Sequence, residues 1–62
     1  FPFLGQSIMQ SNVGRRYNCL IVAIERNGDS LMTPDNDTVF EPDDLVWVVG
    51  DKNKIQQLIK GE

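Results

Sequence analysis

The chain has 62 residues, a net charge of −3 and six basic side chains that form no extended stripe, which argues against a nucleic-acid polymer as partner, because an acidic surface repels phosphates. It carries one cysteine and no histidine, so a disulfide framework, the usual zinc ligand sets and a histidine general base are all missing, and neither an enzyme nor a metal or other cofactor is expected. No apolar run approaches the roughly 18 residues of a membrane span, and so small a domain has little core, which favours association with a second copy.

At the start, Phe1-Pro2-Phe3 reads as part of an edge strand cut short, since two phenylalanines are costly free in water. The whole of 1–62 is then one domain from a larger chain. Residues 5–12 read as a short helix with Leu4, Ile8 and Met9 turned inward, although Ser7, Ser11 and Asn12 are mediocre helix formers. Val13 and Tyr17 pack, which leaves Arg15 and Arg16 on a solvated turn.

The stretch 19–26, CLIVAIER, is rich in β-branched residues and apolar on both alternating faces, with Leu20, Val22 and Ile24 on one and Cys19, Ile21 and Ala23 on the other. Such a strand is covered on both sides. Asn27-Gly28 suits the two positive-φ centres of a type I′ turn, and Asp29 to Thr33 returns as a partner strand closed by Pro34.

Asp35-Asn36-Asp37 resembles the opening of a calcium loop, but Phe40 stands where the sharp turn needs glycine, so Asx turns are expected there instead. A short strand is possible around Val39 and Phe40. Glu41-Pro42-Asp43-Asp44 fits a β-turn, with its carboxylates solvated and near ordinary acidity, and 45–49, LVWVV, is the next strand. Leu45, Trp47 and Val49 share one of its faces, and Val46 and Val48 share the other. Trp47 packs in the core or at a seam between copies. Asp51 is a good N-cap for a helix over 52–60 with Ile55, Leu58 and Ile59 on one face, and Gly61 suits the left-handed C-cap.

The expected fold class is α+β: a small antiparallel or mixed sheet of three to four strands with two helices on one face, the other face sealed by a second copy. Among polar groups, Arg15-Arg16-Tyr17-Asn18 stands out, because two guanidiniums and an aromatic ring can hold a phosphate and stack a base. Cys19, without a base nearby in sequence, reads as an inert, buried thiol.

Leu4-Gly5-Gln6-Ser7-Ile8, the apolar strand ending in Arg26 before the Asn27-Gly28 hairpin, Pro34, Phe40, Asp44 to Gly50, and Ile55 with Leu58 line up in order. In that order and spacing the sequence resembles the TrkA C-terminal domain, the C-terminal half of the RCK module that regulates potassium channels and cation transporters. Asp43 stands where the family has a glycine before its last strand. The wording around Tyr17 to Val22 and the aspartate loop is most similar to the cytosolic tail of bacterial Na+/H+ or K+/H+ antiporters of the monovalent cation:proton antiporter kind.

The resemblance implies a homodimeric, cytosolic, ligand-sensing regulatory domain joined to the transmembrane portion of a parent transporter. Some members bind cyclic di-AMP between two copies. Carried over, the candidate ligand set is Ile8, Ile21 and Pro34 for an apolar wall and Arg15, Arg16 and Asn18 for charge and hydrogen bonding. Leu20 replaces a polar residue of those members, and Arg15 is offset from their helix-end arginine. The rival expectation is a purely structural dimerisation module that binds no ligand.

Overall fold

The computed structural model describes residues 2–61. Its elements run α1 (Ile8–Ser11), α2 (Val13–Arg16), β1 (Cys19–Arg26), β2 (Asp29–Met32), β3 (Leu45–Gly50) and α3 (Lys52–Lys60). The three strands form an antiparallel sheet in the order β2-β1-β3, the α+β arrangement expected.

β1 is central because it is the most apolar segment, and its hairpin with β2 closes through Asn27 and Gly28 at φ of 53° and 82°, the positive values of a type I′ turn. Arg26 therefore faces Asp29, and Ile24 faces Leu31. On the other side, Ile21 pairs with Val48 but Ala23 pairs with Trp47, leaving Val22 as an extra residue in a β-bulge. The bulge corrects the simple alternation: Ile24, fully buried, joins Cys19 and Ile21 on the inner face, whereas Ala23 joins Leu20 and Val22 on the outer one.

The core on the inner side is built from Phe3, Val13, Tyr17, Ile24, Phe40 and Leu58, with Ile8, Cys19, Ile21 and Val46 packed around it. Phe3 enters it from a turn rather than from an edge strand, its ring set edge-on to Tyr17 at 6.2 Å between centroids. Phe1 lies outside the described residues.

The single helix expected over 5–12 is instead two four-residue helices broken at Asn12, which takes φ of 55°. Ser11 explains the break. Its buried hydroxyl donates to the Ile8 carbonyl at 2.8 Å and accepts from the Val13 amide at 3.4 Å, and this local bonding competes with continued helix. Ser7 and Gln10 form a capping box at the start of α1. Leu4 and Met9, expected inward, are exposed, because a single short turn aims only Ile8 at the core.

The short strand expected near Val39 is reduced to one isolated bridge with Ser7. Helix α3 has the predicted bounds: the Asp51 carboxylate accepts from the Asn53 and Lys54 amides at 2.9 and 3.1 Å, and Gly61 closes the helix at φ of 77°. Only Leu58 of that helix is buried, while Ile59 stays exposed.

Candidate functional site

The sheet separates two surfaces of different character. On its outer side, Leu20, Val22, Ala23, Met32, Leu45, Trp47 and Val49 lie together across all three strands. Trp47 is 52% exposed, Val49 62%, Leu20 66% and Met32 68%, so Trp47 is no core residue of the protomer. Such a contiguous apolar face is rare on a monomer and marks an interaction surface.

Of the predicted ligand residues, Ile8 lies on α1, Arg15 and Arg16 on α2, Asn18 just before β1, Ile21 within β1 and Pro34 just after β2. Thr33 leaves β2 at φ of 43°, its amide still held by the Val22 carbonyl at 2.9 Å, and Pro34 follows half-buried. The next residues fold back over α1: the Ile8 amide donates to the Thr38 carbonyl at 2.9 Å, and the Met9 amide to the Asn36 carbonyl at 3.1 Å. Ile8 and the segment after Pro34 are thereby brought together.

Arg15 and Arg16 project from the last turn of α2, exposed. Arg16 is already engaged, its guanidinium carbon lying 5.2 Å from the Phe3 ring centroid and 5.7 Å from that of Tyr17, a cation–π arrangement. Asn18 follows at φ of 48°, and its carbonyl accepts from the Asp51 amide at 3.4 Å. Ile21 lies on the inner face of β1, packed against the same core as Ile8. No hydrogen bond among the described residues ties Arg15, Arg16 or Asn18 to Ile8, Ile21 or Pro34.

On the inner side a cleft of about 360 Å³ opens between the sheet, α3 and the turn 41–44. Val13, Phe40 and Leu58 form its floor, Ile21, Val46 and Val48 its sheet wall, and Ile55 with Ile59 its helix wall. Leu4 lies at the rim, and Glu41, Asp43 and Asp44 supply its acidic lining.

Those acids are not all solvated as expected. The side chain of Asp44 is only 3% exposed, and both its oxygens receive the Arg26 guanidinium, Oδ1 from Nε and Oδ2 from Nη2, each at 2.8 Å. Asp44 also accepts from the Glu41 amide at 2.9 Å. The hydrogen bond from Arg26 holds the Asp44 carboxyl below its ordinary pKa, with the Glu41 amide adding to the effect, and the same bond raises Arg26. Arg26 further contacts Glu41 Oε2 at 2.6 Å and donates to the Val39 carbonyl at 3.0 Å. One guanidinium thus ties the end of β1 to the segment 39–44.

Asp43 takes φ of 67°, the positive value that the third residue of a type II turn needs, with Pro42 ahead of it and the Asp44 amide reaching the Glu41 carbonyl at 3.3 Å. Cys19 is half-buried, and burial pushes its thiol pKa up, which suits an unreactive group. The cleft and the Arg26 fork are the features that sequence reasoning missed. A clue was present in Arg26, a charged residue placed two positions after Ile24 on the same strand face.

Comparison with known proteins gives a consistent result. The profile described as the TrkA-C domain matches residues 2–60. The uncharacterized protein YrvC of Bacillus subtilis (strain 168) is 30% identical over 60 residues, covering 95% of this chain and 36% of its own length, so the chain spans about a third of that relative. The RCK_C domain dimer of S. agalactiae BusR in complex with c-di-AMP superposes with a TM-score of 0.85 at 33% identity, covering 94% of this chain and 76% of that one. The RCK C domain of the potassium transport protein KtrA, also in complex with c-di-AMP, gives 0.89 at 25% identity over 97% of this chain and 71% of that one. BusR in complex with its busAB-promoter DNA gives 0.85 at 33% identity, and there the match covers 28% of the BusR chain.

Proposed function

Because the chain belongs to the TrkA-C domain family, we propose that it is a regulatory domain of monovalent-cation transport that works as a homodimer and senses a small anionic ligand, of which c-di-AMP is the first candidate. The observation that carries this reading is the outer sheet face, apolar from Leu20 to Val49 and wet in the lone protomer, on a fold whose similar structures are described as c-di-AMP complexes, one of them as a dimer.

In this reading the ligand lodges where two copies meet. Arg15, Arg16 and Asn18 meet its negative charge, and Ile8 and Pro34 wall its apolar parts, with Ile21 supporting β1 from beneath. Arg15 is the stronger anchor, since Arg16 is already stacked on two rings. A ligand that prefers one arrangement of the two copies over another shifts their equilibrium by the difference in affinity. That shift is the signal passed to a transporter. We propose that the transporter is a bacterial Na+/H+ or K+/H+ antiporter whose membrane portion precedes this domain, which would then sit on the cytosolic side. No helix among the described residues is long and apolar enough to cross a membrane.

A second reading, a dimerisation module that binds nothing, draws on the engagement of Arg16 by Phe3 and Tyr17, which leaves less free charge for a ligand. Titration calorimetry with c-di-AMP, other nucleotides and monovalent cations separates the two. Saturable binding of c-di-AMP supports the sensing role, and the absence of heat for every ligand at millimolar concentration, with dimers intact, leaves the structural one.

A further inference from the structure

We infer that the cleft beneath α3 is a ligand site in its own right, distinct from the proposed groove between copies, and that it takes a small hydrophobic cation, an apolar body with one ammonium head. Its volume of about 360 Å³ falls at the lower end of small-molecule pockets. A bound helix needs a longer groove for its successive anchors, so the occupant is a small molecule and not a peptide helix.

The chemistry of the lining selects its charge. The floor is built from buried Val13, Phe40 and Leu58, which favour an aromatic or branched hydrocarbon body through loss of wetted apolar surface. Among the described residues the cleft lining contains no lysine or arginine, and its charged members are Glu41, Asp43 and Asp44. Arg26 alone answers Glu41 and Asp44. Asp43 makes no ion pair or side-chain hydrogen bond among the described residues. Three carboxylates against one guanidinium leave this side negative. It repels an anion, offers a neutral hydroxyl only a hydrogen bond without charge attraction, and offers a cation both at an unpaired carboxylate.

The cleft also lies between α3 and the sheet, and only Leu58 anchors that helix in the core. An occupant that touches Ile55 on one side and Val46 or Val48 on the other therefore ties α3 down.

The test is a titration of the isotope-labelled 62-residue chain, followed by amide NMR shifts, with phenethylammonium, the neutral 2-phenylethanol and the anionic 3-phenylpropanoate. The expected result is saturable shifts at Val46, Val48, Ile55 and Leu58 with the ammonium, weaker ones with the alcohol and none with the carboxylate. Asp43→Asn keeps a residue that tolerates positive φ and lowers ammonium affinity about two- to fivefold, the range for one exposed charge pair, without altering c-di-AMP binding. Equal binding of the three probes, unchanged affinity in Asp43→Asn, or no saturable shift at these amides overturns the inference. None of these results bears on the dimer or its nucleotide.

Discussion

Arg26 grips Asp44 with two parallel hydrogen bonds of 2.8 Å across 18 residues of chain, and this fork joins the last inward position of β1 to the turn that launches β3. Arg26 continues the inner face past Ile24, so the strand that fills the core also aims the guanidinium. The arrangement has a pH signature. Folding holds the Asp44 carboxyl below its ordinary value through the Arg26 hydrogen bond, so its stabilisation is complete above the unfolded carboxylate range, about 3.9, and is lost as pH falls through the lower folded value. Thermal unfolding across acidic pH should show this loss, and Asp44→Asn should lower the melting temperature at neutral pH while flattening the acid limb. An unchanged acid limb in the variant would show that Asp44 is not the group responsible.

Gly50 sits where β3 passes the start of β1. A Cβ there would lie 2.5 Å from the Asn18 carbonyl oxygen and 2.7 Å from the Cys19 Cα, backbone atoms with little room to give. Gly50→Ala should therefore cost at least the 1 to 3 kcal/mol typical of roughly this kind of overpacking. Urea denaturation measures it, and a midpoint equal to the parent's would contradict the packing described.

Asp51 caps α3 through two backbone amides. Asp51→Ala should destabilise the fold by about 0.5 to 2 kcal/mol, and Asp51→Asn or Asp51→Ser should restore most of it. Equilibrium unfolding of the three variants decides this, because a purely electrostatic role at the helix start would not be rescued by a neutral cap.

Arg15 is exposed, and its side chain makes no hydrogen bond or ion pair among the described residues. Arg15→Ala should leave the melting temperature unchanged yet weaken c-di-AMP binding by about 1.5 to 3 kcal/mol, the usual worth of a hydrogen bond to a charged group. Calorimetry on parent and variant reads the difference directly, and equal affinities would remove Arg15 from the proposed site.

The elements legible in the sequence were those written locally. The Asn27-Gly28 turn, the β-branched run of β1 and the Asp51 and Gly61 caps each carry their instruction within a few residues, and the structure follows them. The turn at Glu41 to Asp44 was legible in the same way, through Pro42 at its second position.

Features written across the chain were not. The bulge at Val22 exists only because β3 pairs with β1 in a shifted register, and it exchanges the faces of Ala23 and Ile24 that a strict two-residue period assigns. The Arg26 fork needs Asp44 brought from 18 residues away. The candidate ligand residues show the same limit: Arg15, Arg16 and Asn18 are neighbours in sequence, whereas Ile8, Ile21 and Pro34 were joined to them through the family resemblance, and only the structure places Ile8 and Ile21 against one core.

The pairing of copies through the outer sheet face is the claim on which the functional account rests. Sedimentation equilibrium of the parent chain and of Trp47→Lys tests it most directly. The account predicts a dimer for the parent and a folded monomer for the variant, since a charge at the centre of an apolar seam finds no partner there. A parent that remains a folded monomer up to millimolar concentration, or a Trp47→Lys variant that dimerises as tightly as the parent, would contradict it.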